Sequence, residues 1–189
     1  MTLHFEFKFD KSLQASAHLL RLAGGRMKYI DLIKMLYLAD RECLSCEGNT
    51  ITGDRMSALP YGPVVSTVFN LIRRKDSQSK LWHKHIKTKG YNVILQHDPG
   101  SGDLYRFEKE ILENIYNEYK DKDIVEFTHT LPEWKKYEDA IKSPNRPRSY
   151  RITIPDILDG IGKPELLDTV KYNIDEEKHH ARLLGHQHR

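Results

Sequence analysis

Between Tyr29 and Ala39 only Asp31 and Lys34 are polar. A helix that apolar all round has no solvent face to spare and is buried on more than one side. The sequence therefore predicts a helix over 28–44 at the centre of the fold, with Asp31 and Lys34 pairing on its one wet edge. Everything else in the chain has to cover this element.

The covering elements follow from periodicity. Leu13, Ala17, Leu20 and Ala23 recur at helical spacing, with Leu19 and Leu22 widening the face, so a helix is expected over 10–23. Asp10 or Ser12 would cap it, and Gly24 with Gly25 would stop it. Residues 50–63 are turn-rich, with a short strand at Met56–Leu59. Gly62 before Pro63 reads as the start of a third helix, whose apolar face is Val64, Val65, Val68, Phe69 and Ile72 and which ends near Arg74. Residues 75–89 read as a wet basic stretch. Tyr91–Gln96 alternates and is expected to pair with Leu104–Phe107 across the Asp98–Gly102 turn. Helices are predicted over 108–120, about 122–130, and from Trp134 to about Lys142. Ser143–Arg148 reads as a linker. A short strand carries Tyr150, Ile152 and Ile154, and a last helix starts at Pro164.

The fold class is mainly α (α+β): a helical domain around a buried central helix, with a small β hairpin or sheet and a C-terminal helical extension. Residues 1–142 are expected to form the domain. Residues 143–189 would pack on it as linker, strand and helix, followed by a His-rich tail. Hydrophobic residues make up 39% and charged residues 30%, which suits a globular chain. The net charge of only +3 excludes a polyanion binder driven by overall charge and leaves local patches open.

Function classes narrow next. No apolar run approaches the roughly 20 residues that span a bilayer, and the charged, alternating N-terminus is no signal peptide. Cys43 and Cys46 have CxxC spacing but no second ligand pair for zinc and no preceding strand for a thioredoxin-like site. They read as ordinary reduced thiols, and the expected compartment is the cytoplasm. His179, His180, His186 and His188 could chelate a metal, but no Asp or Glu at a fixed offset would set the geometry, so a solvated tail is the better reading. Asp40 and Asp54 could be an acid–base or metal pair. Arg41 and Arg55 beside them favour an internal ion-pair network instead. GxSxG, P-loop, HExxH and GxGxxG patterns are all missing from the sequence. Neither a cofactor nor a metal is expected. Arg73, Arg74, Lys75, Lys80, Lys84, Lys87 and Lys89, interleaved with Trp82, His83 and His85, form a basic run. It would suit an acidic protein partner or nucleic-acid phosphates and bases.

Three segments carry a resemblance. Ile33-Lys-Met-Leu-Tyr-Leu-Ala-Asp-Arg41, then Gly48 and Ile51-Thr-Gly-Asp54, then Ala58-Leu-Pro-Tyr-Gly-Pro-Val64 resemble the Panacea domain of SocA-like antitoxins, also met in phage-associated proteins. His129-Thr-Leu-Pro-Glu-Trp134 is similar to a later stretch of that family. The resemblance covers about residues 10–140. It implies a largely helical domain without catalytic residues: an antitoxin that binds and neutralises a protein toxin, expected from the neighbouring gene. A protease or chaperone stands as a further partner class, since at least one member delivers its toxin to a protease. Some members carry an added DNA-binding domain, for which the roughly ten residues ahead of the first helix are too few. Leu36, Tyr37, Asp40, Arg41, Gly53, Asp54, Gly62, Pro63 and Trp134 are the motif positions, and all have folding explanations. The partner-binding residues are therefore expected among exposed aromatic and cationic groups: Tyr61, Arg73, Arg74, Trp82 and Lys84. The rival reading is a nucleic-acid-binding or phage-associated accessory protein using the basic segment 73–89.

Overall fold

The computed structural model describes residues 3–145 and 147–185. The apolar segment forms helix α2 (Tyr29–Glu47), and eleven of its residues are buried, Leu32 to Asp40 among them without a break. Gly48 ends it in the left-handed conformation, its N–H donating to the Leu44 carbonyl at 3.0 Å. Around it pack α1 (Phe9–Leu22), strand β3 (Gly62–Val65), α5 (Arg106–Tyr119) and α6 (Ile124–Thr128). The mainly helical α+β class read from the sequence is the class observed.

Two three-stranded antiparallel sheets flank this core. One runs in the order β1 (Arg26–Lys28), β5 (Asn92–Leu95), β4 (Ile86–Lys89). The other runs β3, β2 (Met56–Leu59), β6 (Tyr150–Ile152). The remaining helices are α3 (Ser66–Ile72), α4 (Ser79–His85), α7 (Pro132–Lys135), α8 (Glu138–Lys142), α9 (Ile154–Gly160) and α10 (Leu167–Gly185), the last preceded by a 3-10 turn at Pro164–Leu166.

Several expectations are corrected. Residues 79–89 are not a wet loop: they form α4 and β4, and β4 is the hairpin partner of β5, with Lys89 opposite Asn92. Leu104 is buried and Tyr105 precedes α5, so the 104–107 segment pairs with nothing in that sheet. Pro63 does not open a helix. It lies in β3, opposite Ala58, at the edge of its sheet, where a residue without an N–H costs no ladder bond. Helix α1 has Lys8 at its N-cap and no side-chain cap from Asp10 or Ser12. Lys34 is wholly buried and does not pair with Asp31. The expected strand ends at Ile152, and Ile154 instead opens helix α9, which was not expected from the sequence; a Thr153–Asp156 capping box starts it.

A braced aromatic turn as candidate partner-binding surface

The turn between β2 and β3 is held from beneath by three side chains of distant elements. Trp134 Nε1 of α7 donates to the Leu59 carbonyl at 2.9 Å. The His129 ring lies near the Pro60 carbonyl, whose oxygen favours the protonated ring. Lys34 Nζ of α2 donates to the Pro63 carbonyl at 2.8 Å. His129 and Trp134 stack with centroids 4.4 Å apart. Gly62 closes the turn at φ +94°, and a Cβ there would lie 2.6 Å from Lys34 Nζ and 2.8 Å from Thr128 Oγ1. Only glycine fits both the conformation and the space. The product of this bracing is Tyr61, displayed at 73% exposure.

Burial dominates the electrostatics underneath. Among the described residues Lys34 has no carboxylate partner, and desolvation pulls its pKa down to about 7. His129 is shifted down by burial and then by the Lys34 charge. Among the described residues His129 Nε2 has no hydrogen-bond partner.

A second network locks the same helices together. Glu133, buried on α7, accepts from Tyr37 Oη at 2.9 Å and Arg41 Nε at 2.7 Å on one oxygen. Arg41 also donates to the Gly160 carbonyl of α9 at 3.3 Å. The Tyr37 hydroxyl is pushed well above its ordinary pKa by burial and by Glu133. Leu36 is core.

Asp40 and Asp54 do not pair with the neighbouring arginines. Asp40 accepts from the amides of Ile51 at 2.8 Å and Thr52 at 3.0 Å, and from the Thr52 hydroxyl. Asp54 accepts from the Thr67 and Val68 amides at 2.8 and 2.9 Å, which satisfies the free N–H groups that open α3. Burial raises both carboxyls, Asp40 to about 6. Between them Gly53, at φ +66°, passes so close to the N-terminal segment that a Cβ would sit 1.8 Å from the Glu6 carbonyl oxygen. These carboxylates tie loop to helix through backbone amides.

Of the expected partner-binding residues, Tyr61 and Arg73 join one surface. Tyr61 lines a cleft of about 420 Å³ with Lys28, Tyr29, Ile30, Tyr91 and Val125. Tyr29 stands 6.4 Å from Tyr91 and 6.3 Å from Phe69, in near-parallel planes, and the Arg73 guanidinium lies 4.9 Å over Phe69. A ladder of rings thus runs from Tyr91 to Arg73. Arg74, at φ +58°, and Lys84 are exposed but do not line the cleft. Trp82 drops out: it is fully buried, edge-on to Phe9 at 6.4 Å. Reading it as exposed followed from its basic neighbours, whereas α4 turns the indole inward. Tyr29, Phe69 and Tyr91 escaped attention because Tyr29 and Phe69 sit on apolar helix faces. Tyr91, beside Gly90 at a hairpin turn and 79% exposed, carried the one usable signal.

Elsewhere Cys43 is buried and Cys46 exposed, both free, and burial pushes the Cys43 thiol up. His179 and His180 lie exposed on α10; His186 and His188 lie outside the described residues. Among the described residues no cluster of His, Cys, Asp and Glu could hold a metal, and no helix is long and apolar enough to cross a membrane.

The structure thus defines a helical domain whose buried polar networks brace one aromatic turn. The family model of the SocA-like antitoxins with a Panacea domain matches residues 32–135, more than half of the 189 residues, and the chain belongs to that family. The matched span contains Lys34, Glu133, Trp134 and the braced turn. No curated protein and no solved structure matches the chain.

Proposed function

We propose that this protein is a non-enzymatic antitoxin that binds a protein toxin directly and neutralises it by covering or distorting the toxin's active site. Family membership supports the antitoxin role. The observation that carries the contact surface is Tyr61, held out on a turn braced by Lys34, His129 and Trp134 beside a cleft with Tyr29 and Tyr91. Rigid aromatic groups lose little entropy on binding and supply much of an interface's energy. Bracing removes the backbone's share of that cost as well.

Co-expression with the product of the neighbouring gene tests the reading. That product is expected to arrest growth alone and to be harmless beside this protein. Tyr61→Ala and Tyr91→Ala should each weaken the isolated complex by tenfold or more, the scale of a hot-spot truncation, with unchanged thermal stability. A neighbour that is harmless alone, or that stays lethal in the presence of wild-type protein, refutes the antitoxin role. Full neutralisation by the double tyrosine variant refutes the surface.

A further inference from the structure

The register of the β1–β5–β4 sheet gathers four cations on one face. Residues opposite one another in a ladder share a face, and so do residues two apart along a strand. Arg26 stands opposite Ile94, and Ile94 opposite Lys87; Lys28 stands opposite Asn92, and Asn92 opposite Lys89. Arg26, Lys28, Lys87 and Lys89 are all exposed around a half-buried centre of Asn92 and Ile94. The other face carries Met27, Val93, Thr88 and Ile86, and it turns inward: Val93 and Ile86 are fully buried, and Thr88 bonds the Ile72 carbonyl. With strands about 4.8 Å apart and a repeat of about 6.8 Å, the four charges span about 7 by 10 Å.

None of the four forms an ion pair among the described residues. The sequence has no acid between Asp76 and Asp98. Asp31, on the first turn of α2, is the carboxylate that feels Lys28; burial raises it and Lys28 then pulls it down. Edge strands often carry a lysine that discourages pairing with other chains. That accounts for a charge on each edge, and not for four of one sign on one face. At the end of this face stand aromatic rings. Tyr91 projects from the β4–β5 turn, Tyr29 follows β1, and Lys28 lines the cleft they share.

We infer that the exposed face of the β1–β5–β4 sheet binds single-stranded nucleic acid, with phosphates on Arg26, Lys28, Lys87 and Lys89 and a base on Tyr91. A flat cationic sheet ending in exposed rings offers backbone neutralisation and stacking together, which is how sequence-tolerant single-strand binders work. An acidic protein would also meet the charges, but a single strand uses a flat row of cations at phosphate spacing and the ring at its margin together. The face shares Lys28 and Tyr91 with the surface proposed for the toxin, and the test below reads oligonucleotide binding with no toxin present, so either reading can fail alone.

The test is fluorescence anisotropy with the full chain and labelled twelve-nucleotide oligo-U and oligo-dT, from 50 to 250 mM KCl. Each phosphate neutralised on a single strand contributes about 0.7 to the slope of log affinity against log salt, so four contacts give a slope of about −3. The variant Arg26→Gln, Lys28→Gln, Lys87→Gln, Lys89→Gln should lose most of that slope and bind at least tenfold more weakly at 50 mM, with its thermal transition unchanged. Tyr91→Ala should weaken binding roughly fivefold or more and leave the slope alone. The inference falls if oligonucleotides do not bind at 50 mM KCl, or if the quadruple variant binds like the wild type. It falls equally if Tyr91→Ala has no effect, or if polyglutamate of equal charge competes as well as the oligonucleotide, which would assign the face to an acidic protein.

Discussion

Lys34 gives the sharpest test of how the turn is braced. Its side chain is completely buried, and among the described residues its hydrogen bond goes to the neutral Pro63 carbonyl at 2.8 Å. Without a counter-charge the ammonium is costly there, and the folded-state pKa drops from 10.5 to about 7. The sign follows from proton counting. Between about pH 7 and 10.5 the unfolded chain keeps the proton and the folded chain does not, so the unfolded state binds more protons and stability rises with pH. Below pH 7 both states are protonated, and the folded state carries the whole cost of the buried charge. At about 1.4 kcal/mol per pH unit once past the folded pKa, the gain from pH 6.5 to 8.5 is about 2 kcal/mol. That corresponds to about 4–8 °C in Tm for a chain of this size.

Lys34→Met keeps the volume and removes the titration. The quantity to measure is the difference in urea-unfolding free energy between wild type and variant at half-unit steps from pH 6.5 to 8.5. Groups that do not feel the Lys34 charge cancel in that difference; burial and that charge both lower the pKa of His129, which does feel it, from 6.5, where the window opens, and the window ends below the range in which tyrosines ionise. The wild type should gain about 2 kcal/mol on the variant across the window. A flat difference would mean that Lys34 keeps its proton, and the account of an uncompensated buried amine would be wrong. A neutral amine still donates to Pro63, so the brace itself should survive at pH 8.5.

Three more outcomes follow from the same geometry. Gly53→Ala puts a methyl 1.8 Å from the Glu6 carbonyl oxygen at a left-handed φ, and should cost more than ~2 kcal/mol in urea unfolding. Glu133→Ala strips the Tyr37 hydroxyl and Arg41 of their shared acceptor in the core, and should cost about 3–5 kcal/mol by the same measure. Trp134→Phe keeps the ring stacked on His129 but removes the donor to Leu59; stability should fall by about 1 kcal/mol, while hydrogen exchange at the Tyr61 and Gly62 amides speeds up and toxin affinity drops.

The sequence announced α2 through composition alone, because a helix without a solvent face has only one place to go. It could not announce what covers the polar stripe of that helix. Asp31 and Lys34 are three residues apart and look like a surface pair; only the long-range arrival of the Gly62–Pro63 strand seals Lys34 in. The same limit explains Asp40 and Asp54. Arg41 and Arg55 adjoin them in the chain, but Arg41 points about 100° away from Asp40 on α2, Asp54 lies in the loop before β2, and the carboxylates' partners are amides of that loop and of α3. The hairpin was placed too late because Asp98-Pro-Gly-Ser-Gly is stronger turn chemistry than the Gly90–Tyr91 that actually joins β4 to β5. Trp82 illustrates the reverse error, in which charged neighbours in sequence hide a core residue.

The family motif and the candidate contact surface divide the labour between inside and outside. Tyr37, Arg41 and Trp134, expected as motif positions, together with Lys34 and Glu133 are at most partly exposed and join α2, α7, α9 and the β2–β3 turn. Their side chains leave little surface for a partner to read. Around the turn Tyr61, Tyr91 and Arg73 are exposed, while Tyr29 is half-buried between Phe69 and Tyr91. Substitutions inside the frame should therefore act through stability and turn order, and substitutions at the outer rings through affinity alone.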